Sequence, residues 1–149
     1  MPKADFYLLN TNKPAEVMHF ACRLAEKAHR LRHRIYFNMK NKEEALALDE
    51  MLWVWRADSF LPHNLYGEGP EPAPPVQIGT GIQPKNHSDI LINLSDELPE
   101  CYRQFSRILE VIPQNETAEE AARTRFRIYR EKRYLLQTHK TEITEETHE

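Results

Sequence analysis

Apolar positions change their period several times along the chain, and each change marks an element. Asp5-Phe6-Tyr7-Leu8-Leu9-Asn10 is a short β-rich run closed by polar turn residues, the pattern of a buried first strand. Pro14 suits the first turn of a helix, and Val17, Phe20, Ala21, Leu24, Ala28 and Leu31 then recur at helical spacing as one apolar stripe. Lys27, Arg30 and Arg32 fit the carboxyl end of that helix. Arg34 to Met39 reads as a second strand. Asn41 with Glu44 resembles a capping box, and Ala45, Leu48, Leu52 and Met51 share the face of the helix it opens.

The middle of the chain breaks this rhythm. Pro62, Pro70, Pro72, Pro74 and Pro75 impose a semi-rigid irregular segment with no room for a long helix. Val76-Gln77-Ile78 predicts a short strand, and Asp89-Ile90-Leu91-Ile92-Asn93-Leu94 a central one, because its apolar run is continuous. Residues 101–107 read as helical, and Ile108 to Ile112 as a strand stopped by Pro113. Thr117 and Glu120 have capping-box spacing and predict the start of a last helix, whose carboxyl half carries Arg123, Arg125, Arg127, Arg130, Lys132 and Arg133. From Thr138 to Glu149 the chain is polar without aliphatic periodicity, which predicts a frayed tail after a domain spanning residues 1–137. Strands alternating with helices predict a single three-layer α/β domain with a mostly parallel central sheet.

Composition narrows the class. A chain of 149 residues suits one domain, and a net charge of −3 argues against general nucleic-acid binding through bulk charge. Cys22 and Cys101 are far apart and form no metal-type pair, which fits a reduced compartment. Neither a signal peptide nor an apolar stretch of membrane-spanning length is present, so a cytoplasmic location is expected.

Strand and helix alternation invites a nucleotide-binding enzyme, but the first strand-to-helix turn, Asn10-Thr11-Asn12-Lys13-Pro14, has no glycine and no Gly-Lys-Ser/Thr motif occurs. The expected fold is therefore Rossmann-like without a nucleotide-binding loop, and no cofactor is expected. A metal-dependent enzyme would draw on His63 with Glu68, or on His29 with His33. Lys27, Arg30, Arg32 and Arg34 around the latter pair disfavour a bound cation, and a hydrogen-bonded structural role suits His63.

Two constellations remain. On the last helix, Arg123, Phe126, Arg127 and Arg130 share one face at about 100° per residue. Guanidinium groups around an aromatic ring suit a short ligand with an acidic, aromatic end, held by paired hydrogen bonds, with Ile112 helping to wall an apolar slot. A solvated face that complements the helix dipole accounts for the same arginines. Trp53, Trp55, Phe60, Leu61 and Pro62 gather large apolar groups around the irregular segment, either as anchors for a partner or as core filling.

Phe6-Tyr7-Leu8-Leu9, Leu48-Asp49-Glu50-Met51-Leu52-Trp53, the run from Ser59 to Pro70, Asp89 to Leu94 and Ala122 to Arg130 occur in an order that resembles the chi subunit family of the bacterial DNA polymerase III holoenzyme. The resemblance covers roughly residues 5 to 136. It implies an α/β adaptor without nucleotide chemistry, which binds the psi subunit of the clamp-loader complex and the acidic carboxyl-terminal tail of single-stranded DNA-binding protein, and so meets DNA only indirectly. By that resemblance Arg123, Arg127 and Arg130 match basic tail-binding positions and Phe126 an aromatic one. Trp53, Phe60, Leu61 and Pro62 fall on the psi-binding surface. Glu119 departs from the pattern, standing where the compared family member has lysine, and an acid there should weaken an acidic ligand.

Overall fold

The computed structural model describes residues 1–55, 61–69, 72–81 and 89–143. Its elements are β1 (Lys3–Leu9), α1 (Pro14–Arg30), β2 (Ile35–Asn38), α2 (Lys42–Trp53), β3 (His63–Leu65), β4 (Val76–Gly79), β5 (Ile90–Asn93), a 3-10 turn (Glu100–Gln104), β6 (Arg107–Ile112), α3 (Glu116–Glu131) and β7 (Leu135–Thr141). Seven strands form one sheet in the order β3-β4-β2-β5-β6-β1-β7. Every pairing is parallel.

Period-two alternation sends neighbouring side chains to two cores. Ile35, Phe37, Ile90, Ile92, Leu109 and Val111 pack with α1 and α2 on one face. Tyr36, Leu91, Ile108, Ile112, Phe6 and Ala4 pack with the 3-10 turn and α3 on the other. Gly79 is obligatory for space, because a Cβ there would lie 2.0 Å from the Tyr36 hydroxyl.

Five local expectations change. The irregular proline-rich segment contains β3, whose three residues pair with Val76, Gln77 and Ile78. Residues 101–107 divide into a 3-10 turn and the start of β6, since Pro99 and the strand beginning at Arg107 leave too little chain for an α-helix. Leu31 leaves the apolar stripe of α1, being 65% exposed where the helix has already ended. The cap of α3 is Asn115, not Thr117: the Asn115 side chain accepts from Ala118 N at 2.8 Å. The expected tail from Thr138 is strand as far as Thr141, and Ile143 N donates to Asn10 Oδ1 at 2.7 Å. As an edge strand, β7 is held by backbone pairing to β1 and buries little side chain, so it leaves almost no apolar period to read. Residues 144–149 of that expected tail lie outside the described residues.

Arg125 is the main departure inside a correctly placed helix. It is buried, not part of the solvated basic half, and its Nε donates to Glu110 Oε1 at 3.1 Å. Its Nη1 donates to Asp96 O at 2.7 Å. Glu110 on β6 has no exposed surface and also accepts from Tyr129 OH at 2.6 Å and Asn93 Nδ2 at 3.0 Å. Asn38 Nδ2 donates to Asn93 Oδ1 at 3.0 Å, and Gly81 N to Asn38 Oδ1 at 2.7 Å, carrying the network across β6, β5 and β2. Burial, then the charge of Glu110, pushes the Tyr129 phenol well above its ordinary range, so it stays a donor. A charge in a sheet interior is tolerated only when its hydrogen bonds are made.

Arg125→Met should therefore leave Glu110 uncompensated and lower stability by about 3–5 kcal/mol in urea unfolding. Adding Glu110→Gln should recover a large part of that loss, whereas two independent contacts would give additive losses.

Candidate functional site

The last helix packs on β6 and β1, where Tyr129 reaches Glu110 and the Phe126 and Tyr129 rings meet Phe6. A groove of about 320 Å³ opens there, lined by Phe6, Leu8, Glu119, Ala122, Arg123, Phe126 and Thr138. Its floor comes from β1 and β7, because Phe6 and Leu8 point to the α3 face and Thr138 is the register partner of Phe6. Its wall is one flank of α3. The Phe126 ring is half-buried and meets Phe6 edge to face, with centroids 5.3 Å apart.

Helix geometry explains which expected residues reach this groove. Ala118, Ala122, Arg125 and Tyr129 form the stripe buried against the sheet. At about 100° per residue, Phe126 then falls at the stripe's border, with Glu119, Arg123 and Arg130 beyond it on the same flank. Arg127 falls nearly opposite the stripe, and its Nη2 lies 3.5 Å from Thr124 Oγ1. Arg123 and Phe126 thus line the groove; Arg130 is exposed further along the helix, and Arg127 is exposed and turned away. Ile112 does not wall the slot. It is 2% exposed and lies under α3 in the core. Phe6, Leu8 and Thr138 take that role. The two β1 residues were marked only by their shared parity, and Thr138 by nothing in its own neighbourhood.

The second constellation divides similarly. Trp53 ends α2 with 61% of its surface exposed, and its ring stands edge-on to His63 at 4.8 Å. His63 is buried: Nδ1 lies 2.7 Å from Leu61 O and Nε2 3.3 Å from Asp49 Oδ1, which is a structural seat under the tryptophan. Leu61 is 1% exposed and belongs to the α1/α2 core. Pro62 is half-buried, Trp55 packs on His19 at 4.7 Å, and Phe60 lies outside the described residues. Leu46 and Val54, 46% and 78% exposed, extend the apolar surface around Trp53. Their signal was available, since Leu46 is one turn pair before Trp53 and off the buried stripe.

A crevice of about 430 Å³ lies at the carboxyl ends of the strands, where α/β folds commonly bind ligands. Pro14 at the start of α1 removes an N–H that a phosphate would use, and Lys40 is turned to Asp96 at 3.7 Å. Cys22 and Cys101 are buried free thiols, and burial raises both above their ordinary range. Among the described residues no three His, Cys, Asp or Glu side chains gather as a metal site, and no helix is long and apolar enough to cross a membrane.

Comparison with known proteins supplies the family. Residues 1–137 match the family described as DNA polymerase III chi subunit, HolC. The chain is 40% identical over 140 residues to the DNA polymerase III subunit chi of Pseudomonas aeruginosa, covering 94% of this chain and 97% of that one. It is 32% identical to the proteins of the same name from Haemophilus influenzae and Escherichia coli, covering 91% and 93% of this chain and 94% and 97% of theirs. Together with the open, all-parallel sheet, these matches show that the chain belongs to the DNA polymerase III chi subunit family.

Proposed function

We propose that this chain is a non-catalytic adaptor that joins two replication partners through opposite ends of its fold. The groove beside α3 receives the acidic carboxyl-terminal tail of single-stranded DNA-binding protein. The apolar surface at the end of α2 receives the psi subunit of the clamp-loader complex. The observation that carries the reading is an open apolar slot, floored by Phe6 and Leu8 and walled by Phe126, with Arg123 at its rim. A terminal aromatic side chain fits the slot, and Arg123 can pair with the carboxylate beside it. Arg130 adds a cation further along the helix, and Arg127 contributes to approach more than to contact. Glu119 lines the same groove, so an acidic ligand is held against one opposing charge.

At the other end, Trp53 is a rigid exposed aromatic seated on His63, with Leu46 and Val54 beside it. Such an anchor suits the centre of a protein interface. Phe60 and Pro62 are assigned to the same partner.

Titration with an acidic peptide ending in phenylalanine tests the groove. Arg123→Ala should weaken binding by about 10- to 100-fold, and added salt should weaken the wild type. Glu119→Lys should tighten it. Unchanged affinity in Arg123→Ala would remove the groove from consideration. Separately, Trp53→Ala and Phe60→Ala should each impair co-purification with psi while leaving peptide affinity unchanged; loss of both activities together would signal misfolding.

A further inference from the structure

The amino-terminal edge of the sheet collects cations from segments distant in sequence. Backbone bonds at the strand starts tie five neighbours in a row: Ile90 N donates to Arg34 O, Arg107 N to Asp89 O, Lys3 N to Ser106 O and Leu135 N to Pro2 O. With strands about 4.8 Å apart, that row is about 19 Å long. Arg32 stands at the turn into β2, Arg107 and Lys3 open β6 and β1, and Lys132 and Arg133 occupy the turn into β7. Arg103 is close enough for its charge to act on the Tyr134 phenol. Lys27 of α1 joins His33 and Arg107 around a small cleft at the same edge.

The acids on this edge are largely spoken for. Asp5 is buried and holds Arg107 Nε at 3.0 Å, His139 Nε2 at 3.0 Å and Lys3 Nζ at 3.7 Å. Asp89 accepts from Arg34 N at 2.8 Å, Glu26 is buried against Arg30 at 3.1 Å, and Glu131 is exposed. The edge is therefore basic although the chain carries a net charge of −3.

Helix dipoles account for cations in the last turns of α1 and α3. They do not account for the backbone. Arg32 at φ 66° and Arg133 at φ 64° are the non-glycine residues with positive φ among those described. Each follows a helix end, where glycine is the low-cost residue. The two helices lie on opposite faces of the sheet, yet both place an exposed arginine in that strained position. The left-handed turn closes each helix, since His33 N donates to Ala28 O and Tyr134 N to Tyr129 O; what the caps do not require is arginine in place of glycine.

We propose that this edge binds the sugar-phosphate backbone of single-stranded nucleic acid directly. A row of separate cations matches phosphates repeating along one strand, in a family that works in DNA replication. Contact with the phosphate backbone alone makes this binding weak, electrostatic and indifferent to sequence. The edge is distinct from the α3 groove, and the proposal does not depend on what that groove binds.

Fluorescence anisotropy of the full chain with a labelled oligo-dT at low salt is the test. Binding should appear, with a log-log salt slope of about −2 to −3, corresponding to three or four phosphates. The double variant Arg32→Gly, Arg133→Gly should weaken it and make the slope shallower by about 1.4, while keeping or raising Tm because glycine relieves the strain. Lys40→Glu, at the opposite edge, should leave DNA binding unchanged, and the acidic peptide should bind the glycine variant as it binds the wild type. Absence of binding at low salt, an unchanged double variant or an equal loss in Lys40→Glu would overturn the proposal. Equal binding of anionic lipid vesicles, abolished by the same double variant, would overturn its assignment to nucleic acid.

Discussion

A carboxylate with no exposed surface, Glu110, dictates how the last helix lies on the sheet. It sits mid-sheet on β6, where a lone charge would be costly, and Arg125 and Tyr129 of α3 answer it one helical turn apart. Two contacts at that spacing fix both the height and the rotation of the helix. Asn93 and Asn38 brace the carboxylate from the neighbouring strands, so the clamp is anchored in the sheet interior. The outward flank that carries Arg123 and Phe126 is a consequence of this rotation. A slip of one residue in either direction would take Arg125 off Glu110 and leave the buried carboxylate uncompensated.

The groove itself exists because the sheet is wider than the helix that covers it. Strand β7 extends the sheet beyond β1, and the groove lined by Phe6, Leu8 and Thr138 opens there beside α3. Apolar floor residues that would otherwise be core are thereby left at the border of solvent. The arginines of α3 then supply charge at a rim whose depth is already set by packing. Charge alone would make a weak surface, whereas charge beside a preformed apolar slot selects a ligand that offers both.

Along the strand direction the charges separate. Helix carboxyl ends, strand starts and most of the clustered arginines share one edge, while the capped amino ends of α2 and α3 carry Glu43, Glu44, Glu116 and Glu119 at the other. The modest net charge conceals this polarity. The exposed aromatic at the end of α2 lies near the far edge of the sheet, beside β3, so the two apolar surfaces are separated by the width of the fold.

Most element types, the parallel character of the sheet and the basic, aromatic composition of α3 were readable from patterns along the chain, whereas β3, the 3-10 turn and β7 were not. The first strand, the helix opening at Pro14, the Asn41 cap and the central strand at 90–93 emerge from period and capping chemistry alone. Three things depended on tertiary contacts. Arg125 reads like its arginine neighbours until Glu110, 15 residues earlier, is brought beneath it. Ile112 and Leu61 read as candidate surface until their strands and loops are packed under helices. β7 reads as a polar tail, because an edge strand stabilised by backbone pairing needs no apolar period of its own. Local sequence specifies how a segment can fold; which side chains remain at the surface is decided by what another segment places against them.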